Sequence, residues 1–223
     1  MREKVVEIFI EKLTPYLNTI NSVAIVGGDT TDPEIQELIK LKQINVDCYG
    51  IDQGLIHLDL NLPYNNKNKY DLVICSQVLE HLYDVKQAIE NLTNLTNSGG
   101  YIWIGCPASN RSHGSPHYYS AGYQPEMIIN LLKLFSTKIL FSGKSGSKRL
   151  YFMTHALRIW PTQNELKRPI FDYDFGRRNE NFAKKIIRFI YDFAGRFYSL
   201  FLSHKISNEI EYATESYVLA TKI

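Results

Sequence analysis

Apolar positions along this chain fall into two periods, and the switches between them mark out its elements. Val5, Val6, Ile8, Phe9 and Leu13 recur at helical spacing over residues 2–17, with Pro15 disturbing the end of that helix. A short β-branched run, Ser22 to Val26, reads as a strand, and Asp32-Pro33-Glu34 starts a helix with an N-cap, a proline at the first position and an acid in the first turn. Val46 to Ile51 and Ile56 to Leu60 read as the second and third strands. The run Leu72-Val73-Ile74-Cys75 has the continuous apolar character of a strand covered on both faces. Behind it Asp84 stands as an N-cap, and Val85, Ala88, Ile89, Leu92 and Leu95 form a helical stripe. Asn97, Ser98, Gly99 and Gly100 end that helix, since glycine accepts the left-handed turn at a helix terminus, and Tyr101 to Cys106 resumes a strand. A strand, a helix and a second strand in this order form the crossover of a parallel sheet.

Further on, Gln124-Pro125-Glu126 opens a helix with Met127, Ile128, Leu131, Leu132 and Phe135 on its buried side, and Lys138 to Ser142 is the next strand. From residue 143 to 181 the pattern fails, leaving a basic turn, a strand over 151–161 and an irregular aromatic and basic stretch. A helix from Phe182 to Ile206 carries aromatic residues beside Lys184, Lys185, Arg188 and Arg196, and fits packing in its own domain, a dimer or an anionic membrane surface. Glu215 to Lys222 closes the chain as a strand. These elements describe one α/β domain over residues 1–223, with a core at 20–142, a cover at 143–210 and a closing strand at 215–222.

The corner Ser76-Gln77-Val78-Leu79-Glu80-His81 leaves the carboxyl end of its strand, where open α/β sheets keep their ligands. Asp71-Leu72-Val73, Leu79-Glu80-His81-Leu82, Gly99-Gly100 and Pro107 together resemble the signature of class I S-adenosylmethionine (SAM) dependent methyltransferases, and the resemblance covers residues 20 to 142. It implies a Rossmann-like, mostly parallel sheet of the seven-stranded type with an antiparallel last strand and helices on both faces. SAM is the implied cofactor and S-adenosylhomocysteine (SAH) the product.

The residues that would hold SAM follow the strand ends. Glycines directly after a strand let the backbone approach a ligand closely, which places Gly27, Gly28, Asp29 and Thr30 at the site. The loop departs from the family pattern, because Ile25 stands where an acid is usual and Asp29 and Thr31 replace two glycines. Two readings follow: Asp29 takes over the contact to the ammonium of SAM, or the loop has lost its ligand. Asp52 lies at the tip of the second strand, placed to accept hydrogen bonds from ribose hydroxyls. The resemblance assigns Asp59 and Leu60 to the adenine and Ser76 and Gln77 to the methyl-proximal end.

Methyl transfer is an in-line displacement, so positioning dominates. A hydroxyl acceptor also gains about 10²–10⁴-fold from a base. The candidates are His113 and His117, on a polar loop leaving a strand end, and His81. No metal is expected, since Gln77 stands where metal-binding relatives carry a carboxylate. The run from Ser112 to Tyr123 resembles methyltransferases of capsule and surface-polysaccharide pathways, which implies a sugar or phosphorylated precursor as small-molecule acceptor, entering between residues 107–123 and 143–181. Another small metabolite or a lipid-associated acceptor, and a non-catalytic scaffold or partner protein with this fold, are the rival readings.

Composition changes this picture little. A formal net charge of +2 gives no footprint for nucleic acid, and 44% apolar residues support a large core. Cys48, Cys75 and Cys106 read as reduced thiols, two of them in core strands. The first residues carry acids and lack a small-residue cleavage site, so a cytoplasmic location is expected.

Overall fold

The computed structural model describes residues 2–65, 67–110, 116–155, 190, 193–194, 197–198, 201–202 and 213–223. Seven strands form a single sheet: β1 (Ser22–Val26), β2 (Asn45–Gly50), β3 (Ile56–His57), β4 (Tyr70–Ser76), β5 (Thr96–Pro107), β6 (Thr137–Ser145) and β7 (Glu215–Lys222). Their order is β3-β2-β1-β4-β5-β7-β6. Strands β1 to β5 pair in parallel, and β7 runs antiparallel between β5 and β6. The α-helices among the described residues are α1 (Arg2–Leu13), α2 (Pro33–Leu41), α3 (Val85–Leu95), α4 (Pro125–Leu132) and α5 (Lys148–His155). The Rossmann-like α/β architecture with an antiparallel last strand is as the sequence pattern implies.

Each strand face has its own core, as a sheet covered by helices on both sides requires. Val5, Phe9 and Leu13 of α1 and Ile35 and Leu38 of α2 pack on Val23, Ile25, Leu72, Ile74, Trp103, Tyr217 and Leu219. The other face gathers Val73, Cys75, Ile102, Ile104, Cys106 and Val218 under Ala88, Ile89 and Leu92 of α3 and Ile128 and Leu132 of α4. Cys75 of β4 and Cys106 of β5 are buried, and burial pushes their thiols upward in pKa, while Cys48 of β2 is half-buried.

Several elements differ from their sequence pattern for local reasons. Helix α1 stops before Pro15, and Thr14–Thr19 continues as a tighter 3₁₀ turn. The third strand is two residues long, not five, because Asp59 turns the chain by accepting the Asn61 N–H at 2.9 Å. Thr96 in extended conformation ends α3 and begins β5, so Gly99 (φ 77°) serves a bulge in the strand rather than the helix terminus. Met127 is exposed, unlike its helical neighbours Ile128 and Leu132. Strand β6 runs on to Ser145, and residues 151–155 are helical, not extended. The irregular stretch to residue 181, and 182–206 as a continuous segment, lie outside the described residues; Phe193 and Phe197 are described there and exposed.

Asp71 ties three strands together at the lower end of the sheet. Its Oδ2 accepts from the Asn21 N–H (2.9 Å), the Ser22 N–H (3.1 Å) and the Ser22 hydroxyl (3.2 Å), and its Oδ1 accepts from Asn97 Nδ2 (2.9 Å). Burial pushes its pKa up, but these donors outweigh it and the net shift is downward. A depressed carboxylate contributes stability that is present above its unfolded pKa of about 3.9 and lost as pH falls through the folded value. Asp71→Asn is therefore expected to cost about 1–2 kcal/mol at pH 7 and to flatten the acid limb below pH 4. Urea titrations at pH 7 and pH 3 check this: an equal loss at both would remove the carboxylate charge from the explanation.

Candidate active site

The carboxyl ends of β1, β2, β4 and β5 meet at one edge, and the loops that leave them build the site. Gly27 follows β1 with φ 77°, and its N–H donates to the Tyr49 carbonyl of β2 at 2.8 Å. A Cβ here would sit 2.4 Å from Val78 Cγ2, so glycine is what lets the β1 loop close against the corner after β4. A Cβ on Gly28 would meet Asp32 Oδ2 at 2.1 Å. The Asp32 carboxylate accepts the Asp29 N–H at 2.9 Å and so fastens the loop to the start of α2.

Three of the carboxylates at this edge are the candidates named from the sequence. Asp29 Oδ1 accepts from the Thr31 N–H (2.7 Å) and the Thr31 hydroxyl (2.6 Å), which lower its pKa and leave Oδ2 outside the turn. Asp52 is exposed two residues beyond β2, and among the described residues its carboxylate makes no hydrogen bond. Asp59 Oδ1 accepts from Asn61, and its Oδ2 is not used in that turn; Leu60 beside it is buried. Each carboxylate therefore presents an oxygen that a ligand can engage. These acceptors fit a ligand that donates from hydroxyls, an exocyclic amine and an ammonium. Thr30 is exposed on the same loop, and its carbonyl accepts from Gln36 Nε2 at 2.6 Å.

The end of β4 is held by side chains that the sequence pattern did not single out. Ser76 Oγ donates to Glu34 Oε1 at 2.9 Å, and Glu34 is 1% exposed. The sequence carried a signal for this: Glu34 lies four residues before Leu38, on the inner face of α2, rather than on its solvent side. Gln77 takes a left-handed conformation (φ 60°), which costs a non-glycine residue about 1–2 kcal/mol. Its N–H donates to the Gly105 carbonyl (2.8 Å) and its Nε2 to Glu215 Oε2 (2.8 Å), which hold it there. Backbone strain at a strand end marks a functional site more often than a structural one.

Two of the three candidate histidines are brought together; His113 lies outside the described residues. Leu79–His81 forms a 3₁₀ turn, and the Glu80 carbonyl accepts the N–H groups of Tyr119 (2.9 Å) and Ser120 (3.2 Å). His81 Nδ1 lies 2.5 Å from the His117 carbonyl. A carbonyl only accepts, so Nδ1 carries the proton of this contact, and Nε2 lies 3.8 Å from Glu80 Oε1. The loop at 116–120 is thereby clamped onto the Leu79–His81 turn, with the His117 ring exposed.

Residues 10–102 match a family model described as a methyltransferase domain. No curated protein sequence matches the chain. Among solved structures, a SAM-dependent methyltransferase from Archaeoglobus fulgidus is 15% identical, with 100% of this chain and 95% of that one covered at a TM-score of 0.52. A second, from Clostridium acetobutylicum, is 12% identical over 99% of this chain and 91% of that one, TM-score 0.52. A [4+2]-cyclase is 16% identical over 95% and 80%, TM-score 0.50. Likeness at these identities is a likeness of fold. The chain has the Rossmann-like fold of the class I SAM-dependent methyltransferases, and residues 10–102 carry the match to a methyltransferase domain.

Proposed function

We propose that this chain is a SAM-dependent methyltransferase acting on an oxygen of a small-molecule acceptor. The observation that carries the reading is the Gly27 turn, closed against Val78 and bonded to Tyr49, with Asp29, Asp52 and Asp59 around it each keeping an oxygen for a ligand. The methyltransferase-domain match over residues 10–102 supports it. In this reading Asp52 accepts from the ribose hydroxyls, Asp59 from the adenine amine and Asp29 from the ammonium, while Gly27, Gly28 and Thr30 offer backbone and Ser76 and Gln77 close the methyl-proximal end.

The cofactor supplies an electrophilic methyl group, and the chain's own task is to align an acceptor oxygen with it. The acceptor's proton passes to a base, for which the exposed His117 ring and His113 are the candidates. His81 acts as the clamp that positions the His117 loop. The acceptor class proposed is a sugar or phosphorylated precursor, which rests on the resemblance of residues 112–123.

Calorimetric titration with SAH tests the reading. Wild type is expected to bind at micromolar concentration, and Asp52→Ala to bind at least about tenfold more weakly with an unchanged melting temperature, since hydrogen bonds to a charged group contribute about 1.5–3 kcal/mol. Wild-type protein that ignores millimolar SAH would sink the reading and favour a non-catalytic role for the fold.

A further inference from the structure

Lys144 is the penultimate residue of β6, at the carboxyl end of the sheet, and only 9% exposed. Its Nζ donates to Gln124 Oε1 at 2.5 Å, a neutral amide oxygen, and no carboxylate pairs with it among the described residues. An ammonium has three donors and is costly to bury without an anion. Directly opposite in register stands Ser216 of β7, whose hydroxyl is fully buried and has no hydrogen-bond partner among the described residues. Ser216 in turn lies opposite Cys106 of β5. Cys106, Ser216 and Lys144 thus form one row across three strands, on the face under α4 and the loop that follows β5, where side chains directly opposite have Cβ atoms about 5 Å apart. Gln124 Nε2 donates to the Ala108 carbonyl at 3.3 Å, which ties the lysine's one partner to that loop. Four residues past Lys144, α5 opens with Lys148 and Arg149, and the Arg149 Nε is buried without a partner among the described residues.

Among the described residues, a buried ammonium with one neutral partner, a hydroxyl beside it and a guanidinium nitrogen close in sequence leave N–H and O–H donors without acceptors. We propose that Lys144 and Ser216 form an oxyanion subsite that holds a phosphate or carboxylate group of the acceptor. The row lies at the sheet edge shared with Gly105 and Gln77, so an anion there orients the rest of the acceptor toward the end of β4. The role in an acceptor rests on the methyltransferase reading; the anion binding itself does not.

The test titrates full-length protein with inorganic phosphate and, separately, with acetate against chloride at matched ionic strength, reading melting temperature and calorimetric heat, with SAH affinity measured in every variant. Phosphate or acetate is expected to raise the wild-type melting temperature above the chloride control, and the stronger of the two names the oxyanion. Lys144→Met is expected to fold, to weaken that anion at least about tenfold, and to keep its SAH affinity within about twofold. Ser216→Ala, which keeps the lysine, is expected to weaken it about threefold or more, and decides the matter should Lys144→Met fail to fold. An equal response to both anions and chloride in wild type, or an unchanged anion response in the variants, overturns the subsite. Loss of SAH binding in wild type would instead overturn the methyltransferase reading and leave the anion result standing on its own.

Discussion

Truncating Trp103 to alanine is expected to lower the unfolding free energy by about 3–5 kcal/mol, because the indole fills the centre of one core with no surface to collapse onto. Trp103 is 0% exposed. Its ring packs on Phe9 of α1 (centroids 5.1 Å apart) and stacks on Tyr217 of β7 (5.8 Å), which stacks in turn on Phe141 of β6 (5.9 Å). The aromatic row therefore joins three strands and a helix, and its loss loosens all of them at once. Against a typical domain stability of about 5–15 kcal/mol, this is the largest loss a single side chain here should cause. Trp103→Phe is expected to cost far less. The indole N–H is buried without a partner among the described residues, so phenylalanine keeps most of the apolar contact and removes an unsatisfied donor. Urea denaturation of the two variants separates the effects. A phenylalanine variant as unstable as the alanine one would mean that the indole N–H matters in a way its surroundings do not explain.

Gly27→Ala is expected to abolish measurable SAH binding, a fall of at least about a hundredfold, while costing roughly 1–2 kcal/mol of stability for the left-handed backbone alone. Two causes act together. The residue sits at φ 77°, and a Cβ would lie 2.4 Å from Val78 Cγ2, so the loop must retreat from the corner after β4. That retreat breaks the Gly27 N–H bond to Tyr49 and displaces Asp29, which is anchored through Asp32 to the same turn. The double variant Gly27→Ala/Val78→Ala removes the clash and leaves the backbone strain. Partial recovery of binding in the double variant is the expected result, read by calorimetry. An alanine variant that binds as wild type does would remove the β1 loop from the cofactor site.

Much of the fold was legible in the chain because its signals are local. Ser22–Val26 and Glu215–Lys222 are strands over the very residues that the apolar runs mark. Asp84 caps α3 by accepting the Gln87 N–H at 2.9 Å, as its place before the apolar stripe implies. Where local signals were ambiguous the reading slipped. Residues 151–155 carry apolar side chains that suit either period, and they are helical. Met127 stands next to the apolar stripe of α4 without belonging to it.

The site was legible only in part, and the division follows chain separation. Gly27, Asp52 and Asp59 stand out as candidates in the sequence because each lies at the end of an element that the chain itself announces. The partners that give the site its character come from far away: Gln77 meets Glu215 across 138 residues, and Ser76 meets Glu34 across 42. Lys144 reads as one charge in a basic turn until β6 pairs with β7 and places it opposite Ser216, beneath Gln124. The amino-acid pattern by itself determined which segments become strands and helices, since that depends on propensity, caps and periodicity within a few residues. Sheet order and register decided which side chains meet and which lose their water, because desolvation and pairing belong to neighbours in space that sequence distance does not encode.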